Sequence, residues 1–341
     1  MPADGNFRRH LILIGAGLIG ANLVAWAWAL SAFHAFPILL GTALLAYSFG
    51  LRHAVDADHI AAIDNVTRKL MQGGKRPVGV GLMFSLGHST VVVAASVGIA
   101  ATATRFGAHL DRLQGIGGII GTLVSSLFLL TIAAMNIAIL VSVRRSFQRV
   151  RAGEAVDSDQ LDLLLSGRGF FARIFRPLFR RITRSWHMYP LGLLFGLGFD
   201  TATEVGLLGI SATEASHGLP IWSILVFPAL FTAGMTLVDT IDSVLMVGAY
   251  GWAFVRPLRK LYYNMAITFL SVIVAVLIGG VEGLGLISQE FGLRGLFWNA
   301  IDALNNNFGL IGYCIIGVFV LGWISAAIIY RLRGYDQAES A

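Results

Sequence analysis

The stretch LRHAVDADHIAAID, residues 51–64, crowds Arg52, His53, Asp56, Asp58, His59 and Asp64 into a segment that otherwise has the composition of a membrane helix. Residues 37–50, just before it, hold no charge at all. An ionisable side chain at the centre of a spanning helix costs ~2.5–3.5 kcal/mol on insertion scales. Such a cluster therefore has to face protein, water or an ion, and reads as a functional site.

Neutral imidazole and carboxylate together suit borderline divalent metals such as Ni²⁺, Co²⁺ and Zn²⁺. On an ideal helix, at about 100° per residue, Asp56 lies about 60° from His53 and His59 about 120° away on the same side. Asp58 falls outside that stripe. One straight helix cannot aim His53, Asp58 and His59 at a single ion. Either the helix is distorted locally, as binding helices of transporters are, or neighbouring elements share the ligands. A purely structural alternative is an Arg52–Asp56 pair one turn apart, with the histidines bonded to backbone. It accounts for one pair and not for the whole cluster.

The surrounding chain supports a membrane setting. Its 341 residues are 56% hydrophobic and 13% charged, with mean hydropathy +0.74. That is an all-α polytopic integral membrane protein, not a soluble core. The single cysteine, Cys314, excludes a disulfide framework and a thiolate metal site. A net charge of +6 would suggest nucleic acid in a soluble protein. Here the basic residues sit between apolar runs, so they report topology and no nucleic-acid partner is expected.

Apolar segments at 11–33, 37–63, 78–104, 115–143, 189–211, 220–250, 261–282 and 308–330 predict eight transmembrane helices. Each reaches the ~20 residues needed to span, and the longer ones imply tilt or extension beyond the lipid. The first, after Arg8 and Arg9, reads as an uncleaved helix and not as a signal peptide. Of the 25 Lys and Arg residues, 21 fall on the side of the N-terminus, three (Arg105, Arg112 and Arg294) on the other, and Arg52 lies within a span. This asymmetry predicts that both termini are cytoplasmic, N-in and C-in. The chain then divides into helices 1–4 over residues 1–143, an Arg-rich cytoplasmic loop over 144–188, and helices 5–8 over 189–341. Within the loop, DSDQLDLLL (157–165) predicts a short amphipathic helix. The arginines from Arg168 to Arg184, interleaved with Phe170, Phe171, Phe175 and Phe179, suit a helix lying on anionic lipid.

Other spans carry polar groups of their own. FSLGHSTVVV (84–93) puts Ser85, His88 and Ser89 on one helix face. GLGFDTATEVGL (196–207) sets Asp200 and Glu204 one turn apart, with Thr201 and Thr203 beside them. AGMTLVDTIDSVLMVG (233–248) places Met235, Asp239, Asp242 and Met246 on one stripe, which reads as an ion-facing surface. Asn136, alone in its span, reads as interhelical glue.

RHAVDADHIAAID, FSLGHSTVVV, LGFDTATE and MTLVDTIDSVLM, in that order on separate spans, resemble the nickel/cobalt transporter family. The likeness is nearest to its bacterial high-affinity nickel permeases. It runs over essentially the whole chain, including RSWHMYPLG (184–192) and VRPLRKLYYN (255–264). The family's HxxxxDH signature stands here as His53, Asp58 and His59. The resemblance implies eight helices, both termini inside, and Ni²⁺ or Co²⁺ as the transported substrate with no resident cofactor.

The resulting expectation is a multi-pass permease of a bacterial inner membrane that takes up Ni²⁺, or Co²⁺ as the alternative. The expected metal-facing residues are His53, Asp56, Asp58, His59, His88, Asp200, Glu204, Asp239 and Asp242. The ion and the lipid bilayer are the expected partners, and no obligatory protein partner is evident. No phosphate-binding loop occurs in the chain, so a membrane potential or a proton gradient is the expected drive. A membrane metalloenzyme is the rival from another class. Against it, there is no HExxH, and His10, His34, His109 and His217 sit at span ends or outside.

Overall fold

The computed structural model describes residues 3–102, 119–134, 136–137, 140–141, 182–197, 202–253 and 257–332. Among the described residues the regular structure is helical throughout. In chain order it consists of α1 (Ala3–Phe33), α2 (Pro37–His53), α3 (Ala57–Gln72) and α4 (Val80–Thr102), then α5 (Ile119–Ala134). A 3₁₀ turn, Ser185–His187, leads into α6 (Met188–Phe195), followed by α7 (Ala202–Ser216), α8 (Ile221–Ile224), α9 (Val226–Ala253), α10 (Pro257–Phe291), α11 (Leu296–Asn305) and α12 (Phe308–Leu332).

Four stretches are long and apolar enough to cross a bilayer: Phe7–Phe33, Val80–Ala101, Ile221–Gly251 and Thr268–Phe291. Two bent pairs qualify when each is taken as one broken span. These are α2 with α3, bent by 51°, and Leu296–Asn305 with Leu310–Gly322, bent by 78°. The described residues therefore supply four to six spans of a multi-pass membrane protein. The remaining apolar segments, 115–143 and 189–211, lie partly outside the described residues. DSDQLDLLL and the basic run as far as Arg181 lie outside them as well.

Two boundaries differ from the sequence expectation. Segment 37–63 is not one helix: it breaks after His53, and the second half continues to Gln72. Segment 261–282 understates α10, which runs on to Phe291, and the connection beyond it contains α11. Hydropathy windows locate apolar mass. They do not see a helix that outruns the lipid or one that stops while the apolar pattern continues.

α9 is the element on which the bundle is assembled, packing against α1, α2, α3, α4, α7 and α10. Glycines permit this. A Cβ at Gly50 of α2 would overlap the main chain of Phe231, and one at Gly81 of α4 would overlap the carbonyl of Asp239. Small residues let helix backbones touch where lipid offers no hydrophobic drive for association. Gly192 meets the Phe84 carbonyl, Gly196 that of His88 and Gly234 that of Tyr47 in the same way. Gly198 lies outside the described residues. Two apolar clusters result. One holds Ile60, Ile63, Phe84, Phe195 and Tyr250; the other holds Phe33, Phe227, Leu230 and Phe231.

Candidate metal centre

The site begins at the break between α2 and α3. After His53 the backbone tightens into short turns, with the N–H of Val55 donating to Arg52 O at 3.0 Å and that of Asp56 to His53 O at 2.9 Å. Asp56 is extended (φ −64°, ψ 146°) and starts α3, yet its carboxylate makes no bond to the α3 N-terminus. It turns back to His53 instead, with Oδ2 2.8 Å from Nδ1. Of the two alternatives drawn from His53, Asp58 and His59, local distortion or ligands shared between neighbouring elements, the chain shows a full helix break with the histidines on successive helices. The two histidines belong to different helices and their rings meet, with centroids 4.7 Å apart.

α4 brings the third ring. His88 lies 4.7 Å from His53 and 4.9 Å from His59, centroid to centroid. One nitrogen from each of His53, His59 and His88 can be chosen so that all three lie within 4.8 Å of one another. All three residues are buried. Phe84 stacks edge-on to His59 at 4.8 Å and Phe231 flanks His53 at 5.6 Å. Since these phenylalanines belong to different apolar clusters, the histidines sit on the seam between the two halves of the core.

Each imidazole has a carboxylate of its own. Asp56 holds His53 Nδ1; a carboxylate can only accept, so Nδ1 carries the hydrogen and Nε2 the lone pair. His59 Nδ1 lies 3.3 Å from Asp239 Oδ2, an oxygen that also accepts from Ser85 Oγ. This leaves His59 Nε2 as the lone-pair nitrogen, and it is buried with no partner. His88 Nε2 lies 2.8 Å from Glu204 Oε1 and 2.9 Å from His53 Nε2. Its hydrogen goes to the carboxylate, with the His53 lone pair beside it. Carboxylate–histidine pairs of this kind fix the tautomer and raise the basicity of the free nitrogen toward a metal. His88 Nδ1 and Asp239 Oδ1 are also buried without a partner. Buried polar atoms are almost always satisfied, so three orphaned atoms around one trio mark a place shaped for a ligand.

The remaining expected residues fall differently. Asp58 is only half-buried and stands in the first turn of α3, where its charge complements the helix dipole. Asp242, one turn beyond Asp239, leaves Oδ2 buried and unpartnered but is not part of the trio. Asp200 lies outside the described residues. Arg52, expected within a span, is exposed. Met235 and Met246, expected to face the ion, pack into the apolar clusters instead. Thr203 adds a hydroxyl 3.3 Å from His53 Nδ1.

A second polar network was not anticipated from the sequence. Asp64 accepts from Tyr250 and, at 3.1 Å, from Ser271. Arg68, one turn on, donates to Thr268 at 2.6 Å and to Asn65 at 2.9 Å, and Asn65 also accepts from Asn136 at 2.8 Å. Only Asn136 was readable as interhelical glue. The hydroxyls of Tyr250, Thr268 and Ser271 carry no signal in an apolar run.

Comparison with known proteins finds relatives over most of the chain. The family described as "High-affinity nickel-transport protein" matches residues 39–329. The chain is 63% identical to the "High-affinity nickel transport protein" of Cupriavidus necator, over 99% of this chain and 97% of that one. It is 48% identical to the "Nickel transporter NicT" of Mycobacterium tuberculosis, covering 88% and 80%. It is 41% identical to the "Cobalt transport protein NhlF" of Rhodococcus rhodochrous, covering 86% and 84%. No solved structure matches. These relatives are transporters and not enzymes, which removes the metalloenzyme reading. With a family match over most of its length and relatives this similar end to end, the chain belongs to the high-affinity nickel-transport (NicO) family.

Proposed function

We propose that this protein is a single-chain permease for high-affinity uptake of Ni²⁺ across a bacterial inner membrane. Three buried histidines, each with its own carboxylate and drawn from three different helices, carry the reading. In this account Ni²⁺ replaces the proton between His53 Nε2, His88 Nε2 and Glu204, and His59 Nε2 supplies a further bond. Metal–nitrogen bonds of about 2.0–2.1 Å need ligand nitrogens no more than about 4.2 Å apart, so the rings draw in slightly as the ion is dehydrated. Asp56 and Asp239 orient their histidines. Asp58, Asp200 and Asp242 serve the ion's approach and departure, and Asp58 tunes the field over the trio.

The architecture proposed around this centre has eight transmembrane helices, N-in and C-in, with the basic 144–188 loop held against anionic lipid. Support comes from the basic asymmetry and from the broken α2/α3 span, since discontinuous helices mark ion sites in transporters. Cobalt is the second substrate to test, because one relative is named for cobalt transport and nitrogen and oxygen ligands do not separate the two metals.

Uptake of radiolabelled Ni²⁺ by cells expressing the protein, with Co²⁺ as competitor, tests the substrate. Saturable Ni²⁺ uptake at trace concentration is expected; uptake no greater than in cells lacking the protein would refute the reading. Cysteines placed at Gly153 and Gly167 test the topology. They should react with a membrane-impermeant thiol reagent only in opened cells.

A further inference from the structure

We infer that α11 is a re-entrant helix: it dips from the C-terminal end of α10 back into the bilayer and lays its outward face against lipid acyl chains. The first observation is which face is turned out. At about 100° per residue, Leu296, Phe297, Ala300, Ala303 and Leu304 fall within an arc of about 120°, and all five are exposed. Leu296 is 92%, Phe297 56% and Leu304 44% exposed. Asn299 stands at the rim of that arc. The opposite face carries Ile301, Asp302 and Asn305, and it is the one turned onto the protein. Asp302 Oδ2 accepts from Ser288 Oγ of α10 at 3.2 Å, and a Cβ at Gly285 of α10 would overlap the Asn305 side chain. A surface helix beside water buries its apolar stripe and shows its polar face to solvent. α11 does the reverse, which is what a lipid surrounding asks of a helix with a carboxylate.

Depth is the second observation. Gly292 (φ +59°) and Gly295 (φ +133°) take backbone conformations that favour glycine, and between them the chain turns back. α11 then runs beside α10, meeting Ser288 first and Gly285 further in. Gly285 lies about 9 Å along the helix axis from Phe291, inside the apolar stretch Thr268–Phe291. The chain bends by 78° into α12 and goes deeper. A Cβ at Gly312 would overlap the carbonyl of Val55, which sits in the break between α2 and α3. α11 thus starts at the end of one span and finishes beside the body of it. With ten residues it is about 15 Å long, too short to cross. The surfaces on either side of it are apolar and exposed as well: Ile287 and Phe291 on α10, Leu310 and Tyr313 on α12. The outward face of α11 continues that belt, and continuity with two spans names acyl chains as what covers it. Amphipathic helices bury an apolar face ~5–10 Å into the headgroup–acyl boundary, the depth that the Gly285 contact gives.

This inference rests on the membrane setting and not on which ion is carried, so its failure would leave the permease reading standing. The test uses the full-length chain with Cys314→Ser, in proteoliposomes of phosphatidylethanolamine and phosphatidylglycerol. Leu296→Cys, Ala300→Cys and Leu304→Cys each carry a nitroxide label in turn. Collision of the label with oxygen, which partitions into acyl chains, is compared with collision with chromium oxalate, which stays in water. Leu277→Cys, at an exposed position within α10, gives the lipid reference. Gly73→Cys, in the exposed turn after α3, gives the water reference. The oxygen-to-chromium ratio at Ala300 and Leu304 should stand at least fivefold above that at Gly73. It should also rise from Leu296 through Ala300 to Leu304, toward the value at Leu277, as the helix dips. A smaller excess, or a ratio that does not rise along the helix, would overturn the proposal. Low collision with both reagents would mean that a second copy of the chain or another protein covers the face, and would overturn it equally. If a variant fails to insert, Phe297→Cys replaces Leu296→Cys and Ala303→Cys replaces either of the others, under the same criteria.

Discussion

Two buried polar networks share α3 and α9, and they are finished to different degrees. Around His53, His59 and His88, three polar atoms have no partner: His59 Nε2, His88 Nδ1 and Asp239 Oδ1. Little more than one turn along α3 from His59, both oxygens of Asp64 are held by hydroxyls, and two guanidinium nitrogens of Arg68 are bonded, leaving only Nε without a partner. A network closed on itself rigidifies a core. One left open at its centre is waiting for something to close it. The same residue classes thus do two jobs, and what separates them is the count of unsatisfied atoms, not the count of charges.

The sharpest way to break this contrast is His59→Ala. Its Nε2 is the buried nitrogen with nothing to bond, so its loss should remove a metal ligand. More than 100-fold loss of Ni²⁺ affinity is expected, beyond the 10–100-fold typical of groups that only orient a ligand. Near-normal uptake with the protein present in the membrane would remove His59 from the site. Asp239→Asn is expected to be milder. It keeps the shape and a hydrogen-bonding group, but no longer holds His59 Nδ1 or Ser85 as a charged acceptor. An affinity loss of about 10–100-fold is expected, read from uptake at limiting Ni²⁺. A loss as deep as that of His59→Ala would make Asp239 a direct ligand.

The closed network should respond in the opposite currency. Tyr250→Phe deletes the hydroxyl that donates to Asp64. A hydrogen bond to a charged group is worth about 1.5–3 kcal/mol. A lower thermal unfolding midpoint in detergent is expected, with Ni²⁺ affinity within twofold. A tenfold affinity loss at unchanged stability would join the two networks into one ion path.

How much of this the sequence disclosed depends on what each feature is made of. Apolar runs and basic asymmetry are properties of single segments, and α1, α4 and α9 fall where hydropathy puts them. The break after His53 was foreshadowed by an angle, because no straight helix reconciles His53, Asp58 and His59. Pairings between helices were not legible. His59 with Asp239 and His88 with Glu204 are 180 and 116 residues apart, and which carboxylate meets which ring is set by the packing of α3 on α9 and of α4 on α7. Periodicity also misled at Met235 and Met246, which share a stripe with Asp239 but face apolar neighbours. A stripe fixes direction around one helix, not what stands opposite.

The smallest expected effect concerns a fourth imidazole. His187 lies outside the spans, in the 3₁₀ turn before α6, where its Nδ1 accepts the Thr183 N–H at 2.9 Å. Burial, then the charges of Arg184, Lys69 and Lys75, hold it below the ordinary imidazole value. The folded turn therefore binds fewer protons than the unfolded chain. Its contribution is full above about 6.5 and is lost as pH falls below that value. Acid also protonates free imidazole nitrogens that a metal needs, so apparent Ni²⁺ affinity should weaken below about pH 6. The two effects separate in His187→Gln, whose amide oxygen can accept the same N–H. Ni²⁺ affinity at pH 7.5 and its decline toward pH 5.5 should both match the unmodified protein within twofold. The acid-induced drop in thermal stability should shrink. If His187→Gln instead flattened the pH dependence of affinity, proton competition would lie in the turn before α6 and not in the trio.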